Sequence, residues 1–320
     1  MTAIGVLGGG PWGVSLARAA RHAGSEVTLC TRRDHPALPG VRVTPSMRVL
    51  AEARLLVVAV PSSSVRAVAR ELGDFLDGGH VLVHGIRGLS SAAGGGSVAG
   101  AAPTVTSADD IVTISQVLRE ETPVRRIGAL GGPVQAAELN DGRPSAMVVG
   151  SEFPEVVAAL KRAFAAEWLK IEGTSDLRGL EWASALVGCL SIGVGFAAHI
   201  GATPGLLAAL ASRGVDEAAG IARAAGADPQ TLYGLGGYGD LLASIVLAER
   251  PEVVLGRALA RGAPLEAAQA EAALRIEAVT LVPRILRFAE LRRTEHAIFT
   301  ALAEILNGSQ AEATLRRLFD

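Results

Sequence analysis

The stretch "AIGVLGGGPWGVSLARAARHAG", residues 3–24, predicts how the chain begins to fold. Its first six residues are a short apolar run that ends in glycine, and its second half carries apolar side chains at helical spacing. Between them, Gly8, Gly10 and Gly13 stand in G-x-G-x-x-G register. The first glycine permits a tight turn, the second lets the backbone approach a pyrophosphate, and the third lets helix and strand pack closely. Strand, turn and helix together predict a dinucleotide-binding fold.

Six further apolar segments follow in the first half: five predict strands, and the sixth closes that half of the chain. Helical segments such as residues 62–76 separate most of the strands. Fully apolar strands alternating with helices predict a mostly parallel sheet covered on both faces. From Gly179 onward, Ala- and Leu-rich helical stretches replace the strand pattern. We therefore predict an α/β protein with an N-terminal Rossmann-type doubly wound sheet, residues 1–175, and a C-terminal all-α domain, residues 176–320. The six segments are residues 26–33, 53–61, 80–86, 125–133, 145–151 and 167–176.

The composition limits the class of function. The 320 residues include 30 Lys and Arg against 32 Asp and Glu, so the chain lacks the surplus of basic residues typical of nucleic-acid binding. Its two cysteines, Cys30 and Cys189, lie in apolar segments and support neither a disulfide scaffold nor a metal site. The first residues resemble a strand more than a signal peptide, so we expect a cytoplasmic protein. The tract "SAAGGGSVAGAAP", residues 91–103, predicts a flexible loop.

A long run between Glu181 and Arg213 contains no charged residue. A bilayer span needs about 20 apolar residues, which this run provides. It also contains His199 and Pro204 and lacks the flanking aromatic and basic anchors of an isolated span. We therefore predict a fully buried helix pair in the core of the second domain. A membrane anchor over residues 182–211 is the alternative.

The second predicted strand ends in Thr31, Arg32 and Arg33. Sites that prefer NAD place an acidic residue there to bind the ribose 2′-hydroxyl. Arginine instead binds phosphate through two parallel hydrogen bonds. The sequence therefore predicts a preference for NADP, with NAD as the second candidate and Arg32 as the main phosphate or stacking residue. Ordinary surface arginines are the alternative interpretation.

Further motifs extend this interpretation over nearly the whole chain. The motifs are "GGGPWG" (8–13), "VAVPSSSVRAV" (58–68), "GIRGL" (85–89), "GGPVQAAEL" (131–139), the block at 211–244 that contains "GLGGYGDLLAS", and "RIEAV" (275–279). On these motifs the chain resembles the NAD(P)-dependent glycerol-3-phosphate dehydrogenases. The resemblance implies a nucleotide-binding domain, an α-helical substrate domain, and interconversion of dihydroxyacetone phosphate with sn-glycerol 3-phosphate.

The resemblance also implies roles for individual residues. Arg87 stands where the family has a lysine and keeps its positive charge; with Asp240 it forms the catalytic pair. Val134 replaces a serine of the family motif. The implied cofactor-binding residues are Gly8, Gly10, Pro11, Trp12, Gly13, Arg32, Arg33, Pro61, Ala136 and Glu277, and Arg87 also matches a cofactor-contacting position. The implied substrate-binding residues are Arg87, Gly132, Ser244 and Arg250.

One motif departs from the family. There, a Lys-Asn pair follows the residue equivalent to Glu181, and its lysine protonates the alkoxide formed from the substrate. Val187 and Gly188 stand at the pair's positions in this chain. The chain's only lysines, Lys161 and Lys170, lie in the closing segment of the first domain. General acid catalysis contributes about 10²–10⁴-fold in rate, so loss of the lysine should slow the family's reaction severely without abolishing hydride transfer, unless another group supplies the proton.

Three residues are candidate proton donors, and each has a structural alternative. Asp240 would otherwise cap the helix that follows it, and His199 would otherwise be a hydrogen-bonded core histidine. His84 ends a predicted strand and fits either role. Glu138 fits a helix terminus as well as it fits a site.

We therefore expect a reductase of dihydroxyacetone phosphate, or of a related small carbonyl compound, that uses NADPH. A reductase with a changed substrate is one alternative. A non-catalytic NADP-binding homologue, acting as a sensor or interaction protein, is the other. We expect a small phosphorylated substrate, a homodimer, no metal, no nucleic acid and no membrane span.

Overall fold

The structure, a computed structural model, describes residues 2–92 and 107–308. The flexible loop predicted at residues 91–103 lies outside the described residues except for its first two.

The chain forms two compact units. The sheet unit comprises the described residues up to Ile86 together with Val112–Glu181. The helical unit comprises the described residues of Arg87–Ile111 and those from Trp182 onward. The predicted boundary after residue 175 assigned residues 87–111 to the first domain, whereas the described residues of this range, 87–92 and 107–111, cluster with the helices. One cause is the buried guanidinium of Arg284 in the helical unit, which donates hydrogen bonds to the carbonyls of Leu89 (3.3 Å) and Ser90 (2.7 Å).

The sheet unit is built on eight strands in mostly parallel arrangement. The strands are β1 Ala3–Leu7, β2 Glu26–Cys30, β3 Val41–Thr44, β4 Leu55–Val58, β5 Val81–His84, β8 Arg126–Gly131, β9 Ser145–Gly150 and β10 Leu169–Thr174. Two further strands, β6 Ser90–Ser91 of the helical unit and β7 Ile111–Val112 at the chain boundary between the units, form a separate pair. The order across the large sheet is β10-β9-β8-β5-β4-β1-β2-β3. All neighbours pair in parallel except β8 and β9, which are antiparallel. The predicted doubly wound sheet is therefore confirmed.

Burial explains which strands the sequence predicts. Every residue of β4 and β5 is buried, because helices cover both faces at the centre of the sheet. The edge strand β3 was not predicted, since its four residues are partly exposed and carry no apolar run. The helices of this unit are α1 Pro11–His22, α2 Val65–Gly73, α3 Ile114–Glu121, α4 Ala136–Asp141 and α5 Pro154–Ala163.

The helical unit is arranged around its first helix, whose residues from Trp182 onward belong to this unit. The helices are α6 Leu177–His199, α7 Pro204–Ala224, α8 Gln230–Tyr233, α9 Asp240–Val246, α10 Pro251–Ala260, α11 Leu265–Glu271, α12 Ala278–Arg292 and α13 Ala297–Leu306. The predicted all-α second domain is confirmed. The prediction of a fully buried helix pair is correct for α6 but wrong for α7, whose first turn is exposed and whose buried side chains lie on one face.

The length and hydropathy of α6 would suffice to cross a membrane, and α6 is alone in this among the helices of residues 2–92 and 107–308. Its most apolar window is entirely buried within the protein.

Glycine explains the unusual composition of α6. A Cβ atom on Gly195 would overlap the carbonyl oxygen of Val253 on α10, and one on Gly256 of α10 would overlap the carbonyl oxygen of Ile192 on α6. The two helix backbones are therefore in direct contact. A run of Gly, Ala and Ser at this crossing reflects close packing.

We expect Gly256→Ala to destabilise the protein by about 3 kcal/mol, because the added methyl must push two backbones apart. Gly220→Ala is the matched control: it also lies in a helix, and its Cβ would meet nothing within 4 Å. That change should be neutral or stabilising by up to about 1 kcal/mol. Urea unfolding measures both, and equal effects would contradict the close contact.

Candidate active site

The glycine-rich turn of the sheet unit requires glycine at two positions. Gly8 has φ +127°, and a side chain on it would overlap the Ala59 carbonyl oxygen. A side chain on Gly13 would overlap the Gly8 carbonyl oxygen, so α1 can pack closely on the turn only with glycine there. These are the roles that the motif predicts for its first and third glycines.

The N-terminus of α1 is open to a ligand. Gly10 is its N-cap residue and makes no side-chain cap, and a Cβ on Gly10 would meet nothing within 4 Å. Pro11 takes the first helical position, where a missing N–H costs nothing. The unpaired N–H groups of the first turn and the helix dipole together favour an anion. These residues therefore fit the pyrophosphate of a dinucleotide.

Other predicted cofactor residues follow the carboxyl ends of parallel strands. Arg32 and Arg33 follow β2, and Pro61 follows β4. Both arginines are exposed, and neither forms an ion pair with any residue the structure describes. The indole of Trp12 packs on Gly85, where a Cβ would approach its Nε1 to 2.5 Å. The structure thus gathers the glycine turn, the arginines and the tryptophan within one unit.

The candidate site residues that follow β8 have structural roles. Gly132 has φ +94° and turns the chain after the strand. Val134 is buried in the core of the sheet unit, which explains an apolar residue there. Ala136 begins α4, and Glu138 belongs to the cap of that helix: it accepts hydrogen bonds from the Gln135 amide (3.1 Å) and the Ser145 hydroxyl. Glu138 is therefore structural.

A charged cluster lies in the helical unit around Asp240, whose side chain is fully buried. Arg87 Nη1 donates to Asp240 Oδ2 (2.8 Å), and Arg250 Nη1 donates to Asp240 Oδ1 (2.9 Å). Arg250 also donates to the Ser244 hydroxyl (2.5 Å), which bonds in turn to the Ser191 hydroxyl (2.9 Å). We call these five residues the Asp240 cluster. It unites the predicted catalytic pair with two predicted substrate residues, Ser244 and Arg250.

A short π-helical turn, Leu235–Gly239, delivers Asp240 into this cluster at the first position of α9. The side chain makes no cap, so the helix-cap alternative for Asp240 is wrong. π-helical turns recur at functional sites, where they re-aim a side chain.

Arg87 is the accessible member of the cluster, with a quarter of its side chain exposed. Burial alone would lower the pKa of its guanidinium, but the charges of Asp240 and Glu252 outweigh burial and raise it. Arg87 therefore acts as a permanent cation and hydrogen-bond donor. Its side chain passes Gly188 on α6, where a Cβ would approach Arg87 Cδ to 3.2 Å. Glycine at 188 leaves room for the longer arginine.

Arg250 is only 2 % exposed, and its Nη2 is a buried nitrogen without a hydrogen-bond partner. Glu252 lies 3.5 Å from Arg250 Nε. Arg250 Nη2 is therefore a donor that the described residues leave unused, and Arg87 is the partly exposed donor beside it. Ser191 and Glu252 were missed by the sequence analysis. In the sequence, the charge of Glu252 beside the Arg250-Pro251 pair could have indicated Glu252, whereas no pattern indicated Ser191.

The remaining predicted residues lie outside the cluster. Glu277 is at the N-terminal end of α12 in the helical unit. His199 is exposed at the end of α6, so the core-histidine alternative is wrong. It is twelve residues from Val187, about 18 Å along the helix at 1.5 Å per residue. No group of three or more metal-ligating side chains suited to a metal ion occurs in the described part of the chain.

His84 is buried and bonded within the sheet unit. Its Nδ1 accepts the Ile86 amide (3.3 Å), so its Nε2 carries the proton that it donates to Glu181 (3.0 Å). Glu181 also accepts the amide and hydroxyl of Ser115. Thus His84 is held in a structural network that the sequence analysis missed, and its proton is committed to Glu181.

The two lysines lie toward the far edge of the sheet. Lys161 is on α5, and Lys170 is on the edge strand β10, where it pairs with Glu172 (2.8 Å). Strand β10 is five positions from β1, about 24 Å at 4.8 Å per strand. Neither lysine lies near the glycine turn.

An open glycine-rich helix N-terminus on a parallel sheet, joined to a helical unit, is the architecture of a dinucleotide-dependent dehydrogenase. Residues 36–157 match the family described as NAD-dependent glycerol-3-phosphate dehydrogenase N-terminus, and residues 176–315 match its C-terminus. Glycerol-3-phosphate dehydrogenase [NAD(P)+] of Desulfitobacterium hafniense is 31% identical over 87% of this chain and 80% of its own. The Bradyrhizobium diazoefficiens enzyme of the same name is 30% identical over 95% and 92%. The chain belongs to the NAD(P)-dependent glycerol-3-phosphate dehydrogenase family.

Solved structures agree on the fold. The crystal structure of glycerol-3-phosphate dehydrogenase from Coxiella burnetii superposes with a TM-score of 0.87, at 19% identity, over 100% of this chain and 99% of that one. The predicted fold class is thereby confirmed.

We expect Asp240→Asn to destabilise the protein by about 3–5 kcal/mol, because it removes the fully buried carboxylate charge that pairs with two guanidinium groups. Glu271→Gln is the control: it removes one carboxylate charge from an exposed pair with Arg261 and should cost less than about 1 kcal/mol. Denaturant unfolding compares them, and a small effect at 240 would mean that the cluster carries no buried charge pair.

Proposed function

We propose that this protein reduces dihydroxyacetone phosphate with NADPH and one proton, forming sn-glycerol 3-phosphate and NADP⁺, or reduces a closely related small phosphorylated carbonyl compound to its alcohol in the same way. The Asp240 cluster carries the proposal, since it holds two arginines on one buried carboxylate with donors to spare. Membership of the family supports this reaction over a sensor or interaction role. A bound NADPH supplies the hydride.

Two guanidinium groups suit a substrate with one phosphate and one carbonyl group. Arg250 Nη2 is a buried donor without a partner, and such a donor gains most from an anionic acceptor. Arg87 donates to the carbonyl oxygen and stabilises the negative charge that develops there. Because its pKa is raised, it keeps its own proton. Val187 has no proton to give, so we propose that solvent water, which reaches the exposed quarter of Arg87, protonates the alkoxide.

The proposal includes a preference for NADP, supported by two exposed arginines after β2 without ion-pair partners in the described chain. It also includes a homodimer in the cytoplasm, which light scattering and cell fractionation would check.

Purified protein should oxidise NADPH when dihydroxyacetone phosphate is added. Arg87→Met should lower kcat by about 10²–10³-fold, as loss of an oxyanion donor does.

Val187→Lys should raise kcat by up to about 10²–10⁴-fold, because its amine supplies the proton that Val187 cannot give. Val187→Met is the control, since it adds length without an amine and should leave kcat unchanged. No turnover by wild type or Val187→Lys, across a panel of ketones and aldehydes, would refute the reaction.

Cofactor preference is measurable without turnover. The double variant Arg32→Gln/Arg33→Gln should weaken NADPH binding by at least about 10-fold, the value of a charged hydrogen bond, and leave NADH binding unchanged. Arg42→Gln on β3 is the control, since that arginine already pairs with Glu52. Tighter binding of NADH than NADPH by wild type would contradict the preference.

A further inference from the structure

The glycine-rich turn contains a glycine that the dinucleotide motif does not require. Gly9 occupies the variable position between Gly8 and Gly10. A Cβ on Gly9 would overlap the Thr31 hydroxyl and lie 3.3 Å from the His35 ring. The segment after β2 therefore closes over Gly9, and any side chain there would displace it.

His35 makes a specific bond at this contact. Its Nε2 lies 2.7 Å from the Gly9 carbonyl oxygen. A carbonyl oxygen only accepts hydrogen bonds, so Nε2 carries the hydrogen and donates it. This bond fixes the rotation of the peptide group that joins Gly9 to Gly10.

The orientation of that peptide determines where the next amide points. The chain has no cis peptide bonds in its described parts, and in a trans peptide the C=O and N–H groups point in opposite directions. With its C=O held by His35, the peptide turns the Gly10 N–H away from His35. That N–H bonds to no other described residue, and open space surrounds the Cβ position of Gly10. It is a free donor at the N-terminus of α1.

We propose that His35 is a positioning residue for dinucleotide binding: it locks the Gly9–Gly10 peptide so that the Gly10 amide donates to the pyrophosphate. The inference rests on the proposed use of a dinucleotide. It separates two functions of the segment after β2. Arg32 and Arg33 bind the 2′-phosphate directly, whereas His35 acts through the backbone of the turn and serves NADPH and NADH alike.

The test measures binding by calorimetry with four probes. ADP-ribose and NADH contain the pyrophosphate but no 2′-phosphate. 2′-AMP contains the 2′-phosphate but no pyrophosphate, and NADPH contains both groups. His35→Leu should weaken ADP-ribose, NADH and NADPH by the same factor, about 3–10-fold, the value of one hydrogen bond, and leave 2′-AMP unchanged. His35→Gln retains an amide donor at a similar reach and should restore binding to within about 2-fold of wild type.

The double variant Arg32→Gln/Arg33→Gln should give the opposite pattern, weakening 2′-AMP and NADPH only. Unchanged 2′-AMP binding by His35→Leu also shows that this variant is folded. Equal affinities of wild type and His35→Leu for ADP-ribose would overturn the inference. So would loss confined to NADPH and 2′-AMP, which would make His35 a ligand of the 2′-phosphate. Absence of all dinucleotide binding by wild type would instead overturn the proposed function, and the inference with it.

Discussion

The helical unit depends on the buried carboxylate of Asp240. A charge without solvent is costly unless it is paired and hydrogen-bonded, and Asp240 meets that condition through Arg87 and Arg250. For the same reason the guanidinium of Arg250 can be buried, with only 2 % of its side chain exposed. Each charge makes the burial of the others possible, so a substitution at one of these three residues also changes the cost of burying the other two.

Close approach of backbones is the second constraint, and glycine meets it in both units. In the sheet unit Gly13 lets α1 pack on the turn, and in the helical unit Gly195 and Gly256 let α6 and α10 touch. Gly188 has a different effect, because it makes room for a side chain rather than for a backbone. The long arginine at 87 and the missing side chain at 188 are complementary.

The sequence predicts the sheet well because buried parallel strands are uninterrupted apolar runs, as β4 and β5 are. It does not predict β3, which is short and half-exposed, or the antiparallel pairing of β8 with β9, which no local pattern encodes. In the site, motifs identify Arg87 and Asp240, but Ser191 is recognised only by its bond to Ser244, 53 residues away. His199 was misjudged because α6 ends there and exposes it. Contacts between distant segments carry no signal in a single sequence.

The distribution of lysine has a practical consequence. Both lysines of the chain, Lys161 and Lys170, are exposed and belong to the sheet unit, toward the edge formed by β10. Reagents that acylate amines can therefore modify side chains only there, and the arginines of the Asp240 cluster stay untouched. A sensor surface or fluorophore attached through lysine will tether the protein by this edge and leave the chemistry of both guanidinium groups intact.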